Sequence, residues 1–280
     1  MINRLALLLP LFAASALAQD SFFFLQMSDP QFGMYAKDRE FSQETLNYDF
    51  AIAQANRLKP RFVIVCGDLV NKPGDAAQIE EYRRISAKLD PSIRLYHVAG
   101  NHDVGNEPTP ESLAAWTKLH GPDHYSFREG SLYGIVLNSS LIHSPAKAMK
   151  DYQAQHAWLR AEFVKAKQDA AAKHIIVFQH HPWFLASAPE PDQYFNIPLA
   201  RRAPMLQLFR DAGVRWLFSG HYHRNAVAKD GDLEAVTTGP VGQPLGAEAR
   251  SGFRVIYVEP AGIRHEYLEF SRIPPTLTLP

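Results

Sequence analysis

Five short groups of residues carry the side chains with which this chain can do chemistry: Ser28-Asp29-Pro30-Gln31, Gly67-Asp68, Gly100-Asn101-His102-Asp103, His180-His181-Pro182 and Gly220-His221-Tyr222-His223. Together they offer carboxylate, amide oxygen and imidazole, the donor types that suit Mn, Fe and Zn. Two such ions close together can clamp both the attacking and the leaving oxygen of a phosphoryl transfer. Taken singly, each group has an ordinary structural reading, because Asp-Pro and Gly-Asp mark turns and Asn-His after Gly can cap a helix. Five in succession, each where the chain leaves or lies close to a strand, point to a metal centre.

Short apolar runs rich in β-branched and aromatic residues, ended by Gly, Asn or Asp, must bring those groups together. They predict strands near Phe22 to Met27, Phe62 to Cys66, Arg94 to Val98, Leu132 to Asn138, His174 to Gln179, Trp216 to Ser219, Glu234 to Thr238, Arg254 to Val258 and Arg264 to Glu269. Helical patterns fill the gaps at Ser42 to Leu58, Ala76 to Leu89, Pro110 to Leu119, Ala154 to Gln168 and Pro204 to Ala212. Alternation of strand and helix predicts an α/β fold with a mixed sheet or two packed sheets, and the last three strands, joined by short turns, are expected to run antiparallel. Asp29, Asp68, Asn101 and His180 then fall at the carboxyl ends of strands, the edge where α/β proteins build their sites. The stretch from Trp183 to Pro198, with three prolines and four aromatics, reads as a lid or substrate loop.

A chain of 280 residues, 46% hydrophobic and 21% charged, can bury a full core, and residues 19–280 read as one domain. Residues 1–18 read as a secretory signal peptide: one Arg, an apolar run from Leu5 to Leu17, and the small-residue triplet Ala16-Leu17-Ala18. The run is shorter than the roughly 18 to 20 residues that span a bilayer, so no stable membrane insertion is expected after cleavage. No Cys follows the triplet, which argues against a lipid anchor. The expected location is periplasmic or secreted. Cleavage leaves a formal charge of about −1, with no bulk attraction for nucleic acid or anionic lipid. Cys66, the only cysteine, ends an apolar strand and is expected to pack in the core.

These motifs resemble those of the calcineurin-like metallophosphoesterases, whose pattern is DxH, GD, GNHD or GNHE, a later His, and GHxH. The resemblance covers essentially the whole chain after the signal segment. The DPQFG form, His180-His181-Pro182 and the GHYHRN run are similar to the CPPED subfamily, described as protein serine/threonine phosphatases. The resemblance implies two packed mixed β-sheets flanked by helices, with the site at one edge, and two divalent or trivalent ions (Mn, Fe or Zn). It implies that Asp68 bridges them, that Asp29, His223 and Gln31 hold one, and that Asn101, His180 and His221 hold the other. Gln31 stands where the family usually has His, and its neutral amide oxygen should weaken or retune the first site. The purple members of the family carry a Tyr soon after GD; here the chain reads Leu69-Val70-Asn71, so no tyrosinate centre is expected.

The expected reaction is hydrolysis of a phosphate ester by a metal-bound hydroxide. His102, next to Asn101, is the candidate acid for the leaving oxygen, with Asp103 holding its ring in the needed tautomer. His181 either meets substrate or supports a ligand. Arg224 and Asn71 are candidate substrate contacts, and Arg201 and Arg202 follow the expected lid. His97, His120, His124, His143, His156, His174 and His265 have no partner at ligand spacing and read as structural. The expected substrate is a phosphomonoester or phosphoprotein. The alternatives are a cyclic or nucleotide phosphodiesterase and a non-catalytic metal-containing binding protein using Trp183, Phe184, Tyr194 and Phe195.

Overall fold

In the computed structural model, which describes residues 21–279, the strand-like runs form two sheets packed face to face. The expected signal peptide lies outside the described residues. The first sheet contains β1 (Phe22–Met27), β2 (Phe62–Cys66), β3 (Arg94–Val98), β10 (Gly252–Glu259) and β11 (Gly262–Glu269), in the order β11-β10-β1-β2-β3. The second contains β4 (Tyr125–Glu129), β5 (Leu132–Val136), β6 (His174–Phe178), β7 (Trp216–Ser219), β8 (Ala226–Asp230) and β9 (Leu233–Thr237), in the order β4-β5-β6-β7-β9-β8. Strands β1, β2 and β3 are parallel, as are β5, β6, β7 and β9; the remaining pairings are antiparallel.

Alternating side chains on each inner strand serve two cores, because successive residues point to opposite faces. Phe22, Phe24, Phe62, Ile64 and Cys66 meet Val136, Ile176, Phe178 and Phe218 of the other sheet. Phe23, Leu25, Val63 and Val65 face outward onto α1 (Ser42–Leu58), α2 (Ala76–Ser86) and the helix α4 (Pro110–His120) that follows the single turn α3 (Asn101–Val104). On the far side, Tyr133, Ile135, Val177 and Leu217 pack against α6 (Met149–Gln168) and α7 (Leu199–Ala212), which come after the short α5 (Ser139–His143). Coverage on both faces explains why these strands read as unbroken apolar runs. Phe24 is fully buried, its ring stacked 4.3 Å from Phe62 and edge-on 5.8 Å from Phe178. Burial of one such side chain stabilises the fold by about 2 to 3 kcal/mol.

Several expectations need correction. The strand near Glu234 to Thr238 does not join the last two in an antiparallel set; as β9 it lies in the second sheet, parallel to β7. Strands β4 and β8 were not anticipated. Both are sheet edges, where polar residues such as the exposed Lys229 and the half-buried Asp230 interrupt the apolar pattern. Helix α7 begins at Leu199, not Pro204, although proline favours the first turn. The fully buried Arg202 fixes that extra turn, donating to the carbonyls of Trp183 and Glu190. Helix α6 likewise begins at Met149, and α2 stops at Ser86. No helix among the described residues is long and apolar enough to cross a membrane.

Candidate metal centre

The parallel strands of both sheets end at one rim. Asp29 and Gln31 follow β1, Asp68 follows β2, and Asn101 and His102 open α3 just after β3. From the second sheet, His180 follows β6, and His221 and His223 follow β7. To turn inward so soon after a strand, the backbone adopts left-handed torsions that side chains usually avoid. Of the eight non-glycine residues with positive φ among those described, five are Asp29 (48°), Gln31 (41°), Asp68 (52°), His221 (66°) and His223 (55°). Each costs on the order of 1 to 2 kcal/mol and persists because neighbours fix it. The loops after β1 and β2 are zipped together, with Asp29 N–H on the Gly67 carbonyl (3.1 Å) and Gln31 N–H on that of Asp68 (2.9 Å).

The glycines preceding three of the donors leave room for other donors. A Cβ on Gly67 would strike the His180 ring, one on Gly100 would strike the Asp68 amide and carboxylate, and one on Gly220 would strike Ser28 and Asp29. At Gly100, with φ of −101° and ψ of 172°, close approach is the whole reason, since any residue tolerates that backbone.

Two donor triads result: Asp68, His180 and His221, and Asp29, Asp68 and His223. In each, one ligand atom per residue lies within 4.8 Å of the others, and all the residues are buried. Asp68 belongs to both. His180 donates from Nδ1 to the Cys66 carbonyl (2.8 Å), turning Nε2 to Asp68 Oδ2 (3.1 Å) and Asn101 Oδ1 (3.0 Å). His223 Nδ1 donates to the Gln243 carbonyl (2.5 Å), leaving Nε2 3.4 Å from Asp29 Oδ1. His221 places Nε2 against the Tyr194 carbonyl (3.2 Å), which frees Nδ1. Carbonyl acceptors of this kind fix the tautomer of a ligating histidine.

Burial opposes charge on Asp68, but His180 outweighs it and holds the carboxyl well below its ordinary range. His180 itself is lowered by burial and raised further by Asp68 and then Asp29, to about 9. Asp29 is lowered because His223 and His180 offset its burial, and His223 is raised mainly by Asp29 against its own burial. Burial, reinforced by His180, pushes His221 down to about 3, so this imidazole is neutral at pH 7. The donor set fits a pair of divalent ions, and one more feature agrees: the Oε1 of Gln31, itself 2% exposed, has no hydrogen-bond partner. A buried acceptor without a donor is what an ion would satisfy.

Around this cluster the expected contacts divide. His102 is partly exposed and donates from Nδ1 to the Asn71 carbonyl (2.6 Å), while its backbone N–H meets Asp68 Oδ1 (2.8 Å). Asp103 does not hold that ring, contrary to expectation; its carboxylate accepts from the backbone amides of Leu69 (2.9 Å), Val70 (3.4 Å) and Gly100 (2.8 Å), bracing the loops that carry Asp68 and Asn101. Enclosure and then Asp68 push Asp103 up to about 8, against those amides. Asn71 is occupied as well, donating to Asp38 Oδ1 (2.7 Å) and accepting from Gln31 Nε2 (3.0 Å). It is a fixed connector, not a free substrate contact. His181 lies behind His221, ring centroids 4.3 Å apart, with Nδ1 on Ser139 Oγ (3.0 Å), so it supports a ligand. Burial, then His221 and His180, keeps it neutral. Arg224 is turned onto the Leu245 carbonyl (2.6 Å) and the Tyr222 ring, away from the donors.

The 183–198 stretch does border the site, but only in part. Trp183 and Phe184 are fully buried in the core beneath α7 and cannot recognise a ligand. Arg202 anchors their end of the loop, and Arg201 donates to the His143 carbonyl (3.1 Å). Tyr194 is 57% exposed, with its ring 5.0 Å from His221 and that of Phe195 5.6 Å away. Of the seven histidines read as structural, His143 does pack against the site, stacked 5.0 Å from His181. Cys66 is fully buried with its thiol pushed up by burial, and the Gln26 amide donates to its sulfur (3.3 Å). Asp38 has no motif around it, and no sequence signal marked it.

A family model described as calcineurin-like phosphoesterase matches residues 24–225. The serine/threonine-protein phosphatase CPPED1 of Bos taurus is 37% identical over 267 residues, covering 90% of this chain and 85% of that protein. That of Homo sapiens is 36% identical over 268 residues with the same coverage. Among solved structures, a dimetal phosphatase from Danio rerio superposes with a TM-score of 0.62 at 15% identity, covering 89% of this chain and 96% of that one. The purple acid phosphatase PPD1 of yellow lupin seeds reaches 0.67 at 14% identity, covering 90% and 52%. These two structures speak to the fold alone.

Proposed function

The chain belongs to the calcineurin-like phosphoesterase family and is a metal-dependent hydrolase of phosphoric esters, and from that premise we propose that it is an exported, binuclear enzyme acting on a phosphate monoester or a phosphoprotein. The observation that carries the binuclear reading is that Asp68 is common to two buried donor triads. Asp29, His223 and Gln31 would hold one ion, Asn101, His180 and His221 the other, and Asp68 both. When bound, such a pair supplies Lewis acidity and an activated water as nucleophile. The chain's own residues do the rest. His102, with Nδ1–H fixed on the Asn71 carbonyl, keeps Nε2 free, and as the imidazolium it delivers the Nε2 proton to the leaving oxygen and returns to the neutral Nδ1–H tautomer. Asp103 holds the two loops on either side of Asp68 in register. Tyr194 forms an exposed aromatic wall beside His221, suited to the organic part of an ester.

Likeness to the CPPED1 phosphatases supports a phosphoprotein, whereas the signal-like segment at residues 1–18 supports a small ester outside the cytoplasm. The test is metal content of the purified protein for Mn, Fe and Zn, alongside hydrolysis of an aryl phosphate monoester and diester, a nucleotide and a phosphopeptide. About two ions per chain with turnover is the expected result, and the preferred ester names the substrate class. Asp68→Ala should lower turnover by at least about a thousandfold, roughly 4 kcal/mol of barrier, with the fold intact. Full activity in that variant overturns the reading. A protein recovered from the exported fraction that begins at Gln19 by mass spectrometry supports export, and an intact leader in the cytoplasmic fraction refutes it.

A further inference from the structure

Gln31 can face an ion with either its amide oxygen or its amide nitrogen, and only the oxygen can coordinate. Which atom points where is fixed by a chain of hydrogen bonds whose directions are all forced. The backbone amides of Asn71 and Lys72 can only donate, and both donate to Gln78 Oε1, at 3.0 and 2.9 Å. The other end of that side chain must therefore be its NH2, which meets Asp38 Oδ1 at 2.9 Å. Asp38 accepts a second bond on the same oxygen, from Asn71 Nδ2 at 2.7 Å. A carboxylate can only accept, so Asn71 must present its nitrogen to Asp38 and its oxygen to Gln31. Gln31 answers with Nε2 at 3.0 Å, leaving Oε1 as the buried acceptor without a partner.

We propose that Asp38 is a positioning residue that acts through Asn71 to make Gln31 present oxygen to the first metal ion. The inference deepens the binuclear reading and rests on it. The glycine of the DPQFG group fits the same arrangement: Gly33 has φ of +106°, and a Cβ there would lie 2.5 Å from Gln78 Nε2 and 2.9 Å from Asp38 Oδ1. Gly33 therefore opens the space in which Gln78 and Asp38 pair. The same connector serves His102, whose Nδ1 rests on the backbone carbonyl of Asn71. Where a family member carries histidine at the position of Gln31, no amide has to be oriented, so this chain couples a neutral ligand to a remote anion that such a member does not need for that purpose.

The experiment is a Mn(II) titration of the full protein, followed by calorimetry, for wild type, D38N, Q31H and the double variant D38N/Q31H, with the ion-free melting temperature measured for each. In D38N a neutral amide replaces the carboxylate: its oxygen can still accept from Gln78 and Asn71, but more weakly, and its nitrogen can rotate into that place, so the hold on the direction of the chain is loosened. D38N should bind one of the two ions about ten- to a hundredfold more weakly, with an unchanged ion-free melting temperature. In the Q31H background the same substitution should change affinity by less than about threefold, because an imidazole needs no amide orientation. A wild-type protein that takes up no ion overturns the metal-centre reading and the relay with it. Two ions in wild type with unchanged affinity in D38N overturn the relay alone, as does an equal loss in the Q31H background, which would make Asp38 a merely structural residue.

Discussion

His180 must release a proton before its Nε2 can hold an ion, and that release sets how metal affinity depends on pH. In the ion-free site Nε2 lies 3.1 Å from Asp68 Oδ2 while Nδ1 donates to the Cys66 carbonyl, and the imidazole's pKa is raised to about 9. A histidine whose folded pKa exceeds its unfolded value near 6.5 contributes stability that is fully present below 6.5 and lost as pH rises through about 9. His180 is fully buried, so solvent screens little of this interaction. At pH 7 an incoming ion competes with a proton bound two pH units below its pKa, a cost of roughly 3 kcal/mol. Apparent affinity for Mn should therefore rise about tenfold per pH unit, about a hundredfold between pH 7 and 9, and level off above that. His223, also raised, adds to the protons released. Titration calorimetry in two buffers of different ionisation enthalpy counts these protons directly. At least one proton released per protein at pH 7 is expected; zero release with a flat affinity profile would refute the assignment of His180 as a ligand.

Gly100→Ala should weaken Mn binding by at least about tenfold while leaving cooperative unfolding, because the new methyl displaces the Asp68 amide and carboxylate although the torsions of Gly100 itself suit any residue; an unchanged Mn isotherm would dismiss the close-approach account of that glycine. Phe24→Ala should cost about 3 to 5 kcal/mol in urea denaturation, since it empties the layer between the sheets where Phe62 and Phe178 meet, and a loss below about 1 kcal/mol would mean the layer collapses freely. Burial pushes His97 down to about 3 and His120 down to about 4, so in this pair the unfolded chain binds the extra protons and stability falls as pH drops below 6.5. At pH 5 the ion-free protein should lose roughly 2 kcal/mol for each, and His97→Gln should reduce that acid sensitivity in thermal melts at pH 5 and 7.

The inner strands were legible because both faces of each sheet are covered, which makes runs such as Phe62-Val63-Ile64-Val65 continuously apolar. The edge strands were not, because an edge carries charge to discourage pairing, and Ala226–Asp230 reads as a loop until β9 is seen beside it. The donors were legible as residue types at strand ends. Their supports were not, since the acceptors for His180, His223 and His102 are the backbone carbonyls of Cys66, Gln243 and Asn71, and a carbonyl has no side-chain signature. Asp103 shows the converse: its neighbour suggested a His-Asp pair, but three unpaired backbone amides across the loops claimed the carboxylate first.

The donors come from both halves of the sandwich: Asp29, Asp68 and Asn101 from the rim of one sheet, His180, His221 and His223 from the rim of the other. An ion seated among them is thus a rivet through two plates, joining them where the chain makes its tightest turns. Ions at a thousand times their dissociation constant would add about 4 kcal/mol to the clamped state. A chelator would then do more than silence the enzyme: it would draw the rivets and let the sandwich gape from that rim, so metal supply would govern how long the protein survives proteases as well as whether it turns over.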